Sequence, residues 1–163
     1  MHIRPSQCLL VVAFAMTLST ASNQPAAESI GQARATAQAP VEYSSAKSSS
    51  TRPFSDVVRV GNMLYLAGKL GTDGSGKLAS GGIAGETRQT LENIKTVLES
   101  NGSSLDHVVK CTVMLADMKE WAEMNSVYTT FFKKDRMPAR SAFGTSGLAL
   151  NARVEIECIA VVK

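Results

Sequence analysis

The run Arg153-Val-Glu-Ile-Glu-Cys-Ile-Ala-Val-Val162 constrains this chain more than any other segment. Val154, Ile156, Cys158 and Ala160 fall on one face at period two, and Arg153, Glu155 and Glu157 fall on the other. That alternation predicts a strand with one face in a core. Ile159 and Val161 interrupt the polarity of the second face, which is therefore expected to be covered by another subunit rather than left open to water.

A strand needs partners, and the upstream sequence supplies them. Phe54 to Val60 and Met63 to Gly68 are short strand-like runs, with Gly61-Asn62 between them as a tight turn. Residues 71–82 hold five glycines among polar residues and read as an exposed loop, interrupted by a strand piece near Lys77 to Ala79. A helix is predicted from about Ile83 to Asn101. Thr87, Leu91, Ile94 and Leu98 form its buried face, Glu86, Arg88, Glu92 and Lys95 its outer one, and Gly102 ends it.

Val108 to Ala116 reads as a strand with Val109, Cys111, Val113 and Leu115 on one face and Lys110 and Thr112 on the other. Asp117-Met-Lys-Glu120 resembles a capping box that opens a second helix running to about Lys133. Trp121, Met124, Tyr128 and Phe131 form its apolar stripe, read as core rather than as a cofactor surface. Pro138 ends the helical region, and Arg140 to Thr145 is strand-like. The order β-β-(β)-α-β-α-β-β, with two helices that can cover one face of one mixed sheet, predicts an α+β fold.

The chain of 163 residues suits one domain, and an apolar content of 44% permits a packed core. Its formal charge of +3 is scattered, so neither nucleic acid nor a membrane surface is indicated as a partner. Two histidines, His2 and His107, and three widely spaced cysteines form no familiar metal-ligand pattern, so no metal site is expected. The chain contains no G-x-S-x-G, no Walker loop and no G-x-G-x-x-G.

Residues 1–21 read as an export signal. His2 and Arg4 precede the apolar run Cys8 to Leu18, too short to span a bilayer, and Ser19-Thr20-Ala21 fits a small-x-small cleavage site. An uncleaved anchor and a misplaced start codon are the alternatives. Cys8 precedes the apolar run instead of following it, which argues against a lipoprotein signal. Residues 22–52, rich in Ala, Ser, Gln and Pro, read as a flexible tether, leaving 53–163 as the folded domain. A periplasmic or secreted location follows, with no membrane attachment once the signal is cleaved. Cys111 and Cys158 are expected as buried free thiols; a bridge requires their two strands to be neighbours.

Chemistry could reside in two places. Arg140, in Met137-Pro-Ala-Arg-Ser-Ala-Phe143, is either a solvated surface charge or a bidentate grip on a planar carboxylate. Glu155 and Glu157 are either outward edge charges paired with Arg153 or groups that orient a water.

Several segments resemble one family. Pro53-Phe-Ser-Asp-Val-Val-Arg-Val-Gly-Asn-Met-Leu-Tyr-Leu-Ala-Gly68, Thr87-Arg-Gln-Thr-Leu-Glu-Asn-Ile94, Asp106-His-Val-Val-Lys-Cys-Thr-Val113 and Asn125-Ser-Val-Tyr-Thr-Thr-Phe-Phe132 occur in the order found in the RidA family, the reactive intermediate/imine deaminases. Pro138-Ala-Arg-Ser141 and Val154-Glu-Ile-Glu-Cys-Ile-Ala-Val161 are similar to its most specific signatures. The resemblance covers the domain and neither the signal nor the tether.

It implies a chorismate-mutase-like fold and a homotrimer with three clefts between subunits. It also implies hydrolysis of enamine/imine intermediates, such as 2-aminoacrylate and its 2-imino acid tautomer, to 2-keto acids and ammonia, without a cofactor. Arg140 would hold the carboxylate of a small 2-imino or 2-keto acid, and Glu155 would position the attacking water. The backbone at Gly68 and Ala142 would line the cleft, with Asn125, Phe54 and Ala67 nearby. Phe54 stands where Tyr is common, Ala67 where Ser is, Lys69 where Gln is and Ala142 where Cys is frequent. The stretch Gly-Thr-Ser-Gly-Leu-Ala-Leu150 lacks the usual Leu-Pro turn. Two other functions remain: a non-catalytic carboxylate-binding or protein-interaction trimer, and a ribonuclease or translation inhibitor. The absence of a basic-aromatic surface and the export signal weigh against the second.

Overall fold

The computed structural model describes residues 38–45 and 52–163. The readings placed on residues 1–21 and on most of 22–52 lie outside the described residues. Among the described residues there are seven strands: β1 (Val41–Ser44), β2 (Val57–Val60), β3 (Met63–Leu66), β4 (Lys69–Leu70), β5 (Val108–Leu115), β6 (Ala139–Gly144) and β7 (Val154–Val161). Two α-helices accompany them, α1 (Gly82–Ser100) and α2 (Trp121–Tyr128). The strands form one sheet in the order β1-β2-β3-β7-β5-β6, with β4 also paired to β7. Only β5 and β6 run parallel, joined by the crossover that contains α2.

β1 lies inside the stretch expected to be a tether. Val41 to Ser44 pairs with Val60 to Val57 and extends the sheet edge, although all four residues are exposed. Backbone pairing, not burial, accounts for this strand. The β2–β3 hairpin closes over two residues, with Val60 opposite Met63. Its left-handed φ of 58° falls on Gly61, which suits glycine at the first central position of a type II′ turn.

The core lies between the sheet and the two helices. Leu91, Ile94 and Leu98 of α1, Met124 of α2, and Val113, Leu115, Val154 and Ile156 of the strands are fully buried in one cluster. The α1 stripe forms as its spacing predicts, and the Gly102 N–H closes onto the Glu99 carbonyl at 3.3 Å. Glu86 departs from expectation: it is buried, because its Oε2 accepts the backbone N–H of Arg153 at 2.8 Å. A register slip between Val108 and Lys110 turns Val108 inward and Val109 out to solvent, reversing the expected face of Val109.

α2 ends at Tyr128, five residues short of the expected Lys133. Thr129 and Thr130 follow, and the Thr130 hydroxyl bonds back to the Val127 carbonyl at 2.7 Å, a local bond that competes with helix continuation. Half of the capping box forms. Asp117 accepts the N–H of Lys119 at 2.9 Å, whereas Glu120 pairs with the Arg153 side chain.

The free-thiol expectation is corrected. β7 lies beside β5 with Cys158 directly opposite Cys111, and the two form a disulfide with Cα atoms 4.2 Å apart. Opposed residues of an antiparallel pair come this close at non-hydrogen-bonded positions, and their separation of 47 positions in sequence conceals the pairing.

Candidate functional site

β6 is the last strand of the sheet, so Arg140 stands on an edge. Its strand neighbour is Cys111, whose side chain is fully buried beneath the helices, and this places Arg140 on the helix-covered face. The guanidinium carbon lies 4.5 Å from the centre of the Tyr128 ring and 5.8 Å from that of Trp121, both on α2. Arg140 is only partly exposed, yet its side chain has no hydrogen-bond or ion-pair partner among the described residues. Asn125 lies between the two aromatics on the same helical face, at i+4 from Trp121, and its side-chain amide is likewise without a protein partner there. Ala142, in register with Val113, faces the same side and packs partly against the core.

Tyr128 is 2% exposed and its hydroxyl is buried with no hydrogen-bond partner among the described residues. Burial pushes its pKa up to about 12, and the nearby Arg140 charge partly opposes that rise. The phenol therefore stays neutral through physiological pH.

Glu155 lies elsewhere. Its neighbours Val154 and Ile156 are fully buried, so its side chain points to the opposite, uncovered face. It does not sit on a sheet edge, because β7 is flanked by β3 and β4 on one side and β5 on the other. Nor does it pair with Arg153, which is engaged by Glu120. Its carboxylate extends over Gly68: a Cβ built there would collide with Oε1 and lie 2.9 Å from the carboxyl carbon. That close approach explains why glycine fits at 68. The carboxylate has no hydrogen-bond partner among the described residues. Glu157 is exposed on the same face, beside Tyr65, Lys110 and Thr112 around a cavity of about 160 Å³.

Phe54 and Gly68 line a common open cavity of about 480 Å³ with Lys69, Leu70, Asn93 and Leu150. Phe54 is half-exposed. Ala67 is anchored by its backbone N–H to the Asp56 carbonyl at 3.0 Å. Lys69 is tied to the nearly buried Asp56 at 2.5 Å.

The expected site residues thus fall into two groups. Arg140, Asn125 and Ala142 share the β6–α2 end. Glu155, Gly68, Ala67 and Phe54 share the β3–β4 end. β6 and β7 flank β5, so their axes lie roughly 10 Å apart, and Arg140 and Glu155 point to opposite faces. One chain does not present both to one small molecule. Tyr128, read in sequence as core, is in the core and also meets Arg140, whereas Trp121, read likewise, is exposed and outside the core cluster; their i, i+7 spacing is the signal that puts both at the Arg140 end.

The family model described as endoribonuclease L-PSP matches residues 44–162. The 2-iminobutanoate/2-iminopropanoate deaminase of Mus musculus is 41% identical over 110 residues, covering 67% of this chain and 81% of that protein. Among solved structures, a Rid-family protein from Yersinia pestis superposes with a TM-score of 0.70 at 32% identity, covering 76% of this chain and all of the other. RidA from an Antarctic Psychrobacter superposes at 0.66 with 32% identity, covering 77% and 98%.

Proposed function

The chain belongs to the YjgF/RidA family, and from that premise we propose that it hydrolyses small 2-imino acids, and their enamine tautomers, to 2-keto acids and ammonia. The observation that carries this reading is Arg140. A partly buried guanidinium that lies over aromatic rings, and whose side-chain N–H donors have no protein partner among the described residues, is suited to a planar anion. The carboxylate of a 2-imino acid is such an anion.

The reaction asks for positioning and proton transfer. Arg140 fixes the carboxylate. The oxygen of a water adds to the imine carbon, and the imine nitrogen takes up a proton. The hydroxyl proton of the resulting carbinolamine then passes to nitrogen as the C–N bond breaks, so that ammonia leaves and the carbonyl forms. Glu155 takes the role of holding that water, accepting its proton and returning it to nitrogen; its carboxylate, without a hydrogen-bond partner among the described residues, supports this reading. Together these effects supply roughly 10²–10⁴-fold.

Because Arg140 and Glu155 face opposite sides of one sheet, the working site takes Arg140 from one copy and Glu155 from the next, in a trimer. The uncovered face carrying Tyr65 and Ile159 is the surface such copies would use. The Cys111–Cys158 disulfide suits an oxidising compartment and supports export from the cytoplasm. An exported enzyme of this kind needs an amino-acid oxidation outside the cytoplasm to supply its imine.

The test generates 2-iminobutanoate in situ with an amino-acid oxidase and follows keto-acid release by the purified protein and by Arg140→Ala. Acceleration by the former alone is the expected result. Rates equal to buffer for both would remove the enzymatic reading; 2-oxobutanoate binding without acceleration would leave the non-catalytic carboxylate binder. A monomer by light scattering would exclude a shared site, and recovery of the protein only from cytoplasmic fractions would exclude export.

A further inference from the structure

Resting on the reading of Arg140 as the carboxylate anchor, we propose that Trp121 and Tyr128 are positioning residues which hold its guanidinium plane by stacking and leave its in-plane donors open to the ligand. Arginine is long and carries large rotamer freedom, and an anchor that must be ordered during binding loses affinity by that amount. Something has to restrain Arg140 beforehand. No carboxylate or carbonyl among the described residues hydrogen-bonds its side chain.

A carboxylate partner would have restrained it at the expense of its function, since it would occupy the same N–H donors and neutralise the charge the ligand needs. An aromatic ring attracts the cation through its face and engages none of those donors. Tyr128 provides that ring at 4.5 Å and Trp121 a second at 5.8 Å. Seven residues apart, they project from one side of α2 two turns apart.

The Tyr128 ring is itself held firmly. It is 2% exposed, belongs to the core cluster, and meets the Phe132 ring with centroids 4.8 Å apart. Its hydroxyl has no partner among the described residues, so the residue acts through its ring and not through a hydrogen bond. Phenylalanine should therefore replace it in this role.

The experiment uses the full chain and 2-oxobutanoate as the probe, with binding read by calorimetry. The Arg140 side-chain Nε–H resonance, assigned through its loss in Arg140→Lys, is read in parallel by NMR. In the parent protein this resonance should be shifted upfield by the ring currents of the two aromatics. Tyr128→Leu and Trp121→Leu should each move it toward the position of a free arginine and weaken 2-oxobutanoate binding roughly three- to tenfold. Tyr128→Phe should preserve both the shift and the affinity. If Tyr128→Leu fails to fold, Trp121→Leu decides alone, since Trp121 is partly exposed at the helix start and its loss spares the core.

An Arg140 resonance already at the free-arginine position, or one that stays put while affinity falls, would overturn the positioning role and leave the aromatics as packing residues. Equal binding by the parent protein and Arg140→Ala would instead overturn the anchor reading itself, whatever the resonance shows.

Discussion

The Glu155 carboxylate occupies the space that a side chain at Gly68 would fill, with the carboxyl carbon 2.9 Å from where a Cβ would sit. Gly68→Ala therefore displaces Glu155, while Arg140 of the same chain lies on the opposite face of the sheet. Imine hydrolysis should drop roughly 10- to 100-fold, the loss expected when a general acid-base is moved off its water. Binding of 2-oxobutanoate by calorimetry should change much less. Equal losses in both would place Gly68 in the carboxylate grip instead.

Arg140→Lys keeps the charge and loses the planar fork. If the anion is held bidentately, affinity for 2-oxobutanoate should fall about tenfold or more. A change within twofold would mean that charge alone suffices. Trp121, the single tryptophan of the chain, stands close enough to Arg140 to report on the same event. Its emission should respond to 2-oxobutanoate in the parent protein and not in Arg140→Ala.

The Tyr128 phenol is held near a pKa of about 12, above the value near 10 of an unfolded tyrosine. Folding thus favours the protonated form. The associated stability is complete below pH 10 and is lost as pH rises toward 12. Thermal midpoints measured from pH 8 to 12 should fall more steeply for the parent protein than for Tyr128→Phe. At neutral pH, Tyr128→Phe should be neutral or stabilising, because it removes a buried hydroxyl that has no partner.

The disulfide closes a separation of 47 residues. Replacing both cysteines with alanine should lower unfolding stability by about 2–4 kcal/mol, measured by denaturant titration. A reducing agent should act in the same direction on the parent protein and have no effect on the double variant.

Glu86→Ala removes the acceptor of the Arg153 N–H at a buried position. The expected loss is about 1–3 kcal/mol, with α1 otherwise intact by circular dichroism.

The helix stripe of α1, the hairpin at Gly61-Asn62 and the alternation of β7 were legible because each is a local pattern with a fixed period. What escaped was set by distant partners. Glu86 looked like a surface charge until β7 brought the Arg153 N–H to it. Cys111 and Cys158 looked like small hydrophobes because nothing near either one announces the other. Val109 lies on the face opposite to the one its alternation implies, because a one-residue slip in pairing leaves no mark in composition. At the site, Arg140 and Glu155 could be picked out through the family resemblance. Their placement on opposite faces could not, since it depends on how β6 and β7 flank β5. Trp121 and Tyr128 satisfied a core pattern so well that their contact with a cation was hidden by it.

β7, the last strand in sequence, fills the middle of the sheet between β3 and β5. Until β7 emerges during synthesis, the early hairpin and the β5–α2–β6 unit have no strand between them, and the core lacks the Val154, Ile156, Cys158 and Ala160 side chains. The domain is therefore a poor candidate for folding piecemeal on the ribosome. The core stays open until β7 is available to sit between β3 and β5.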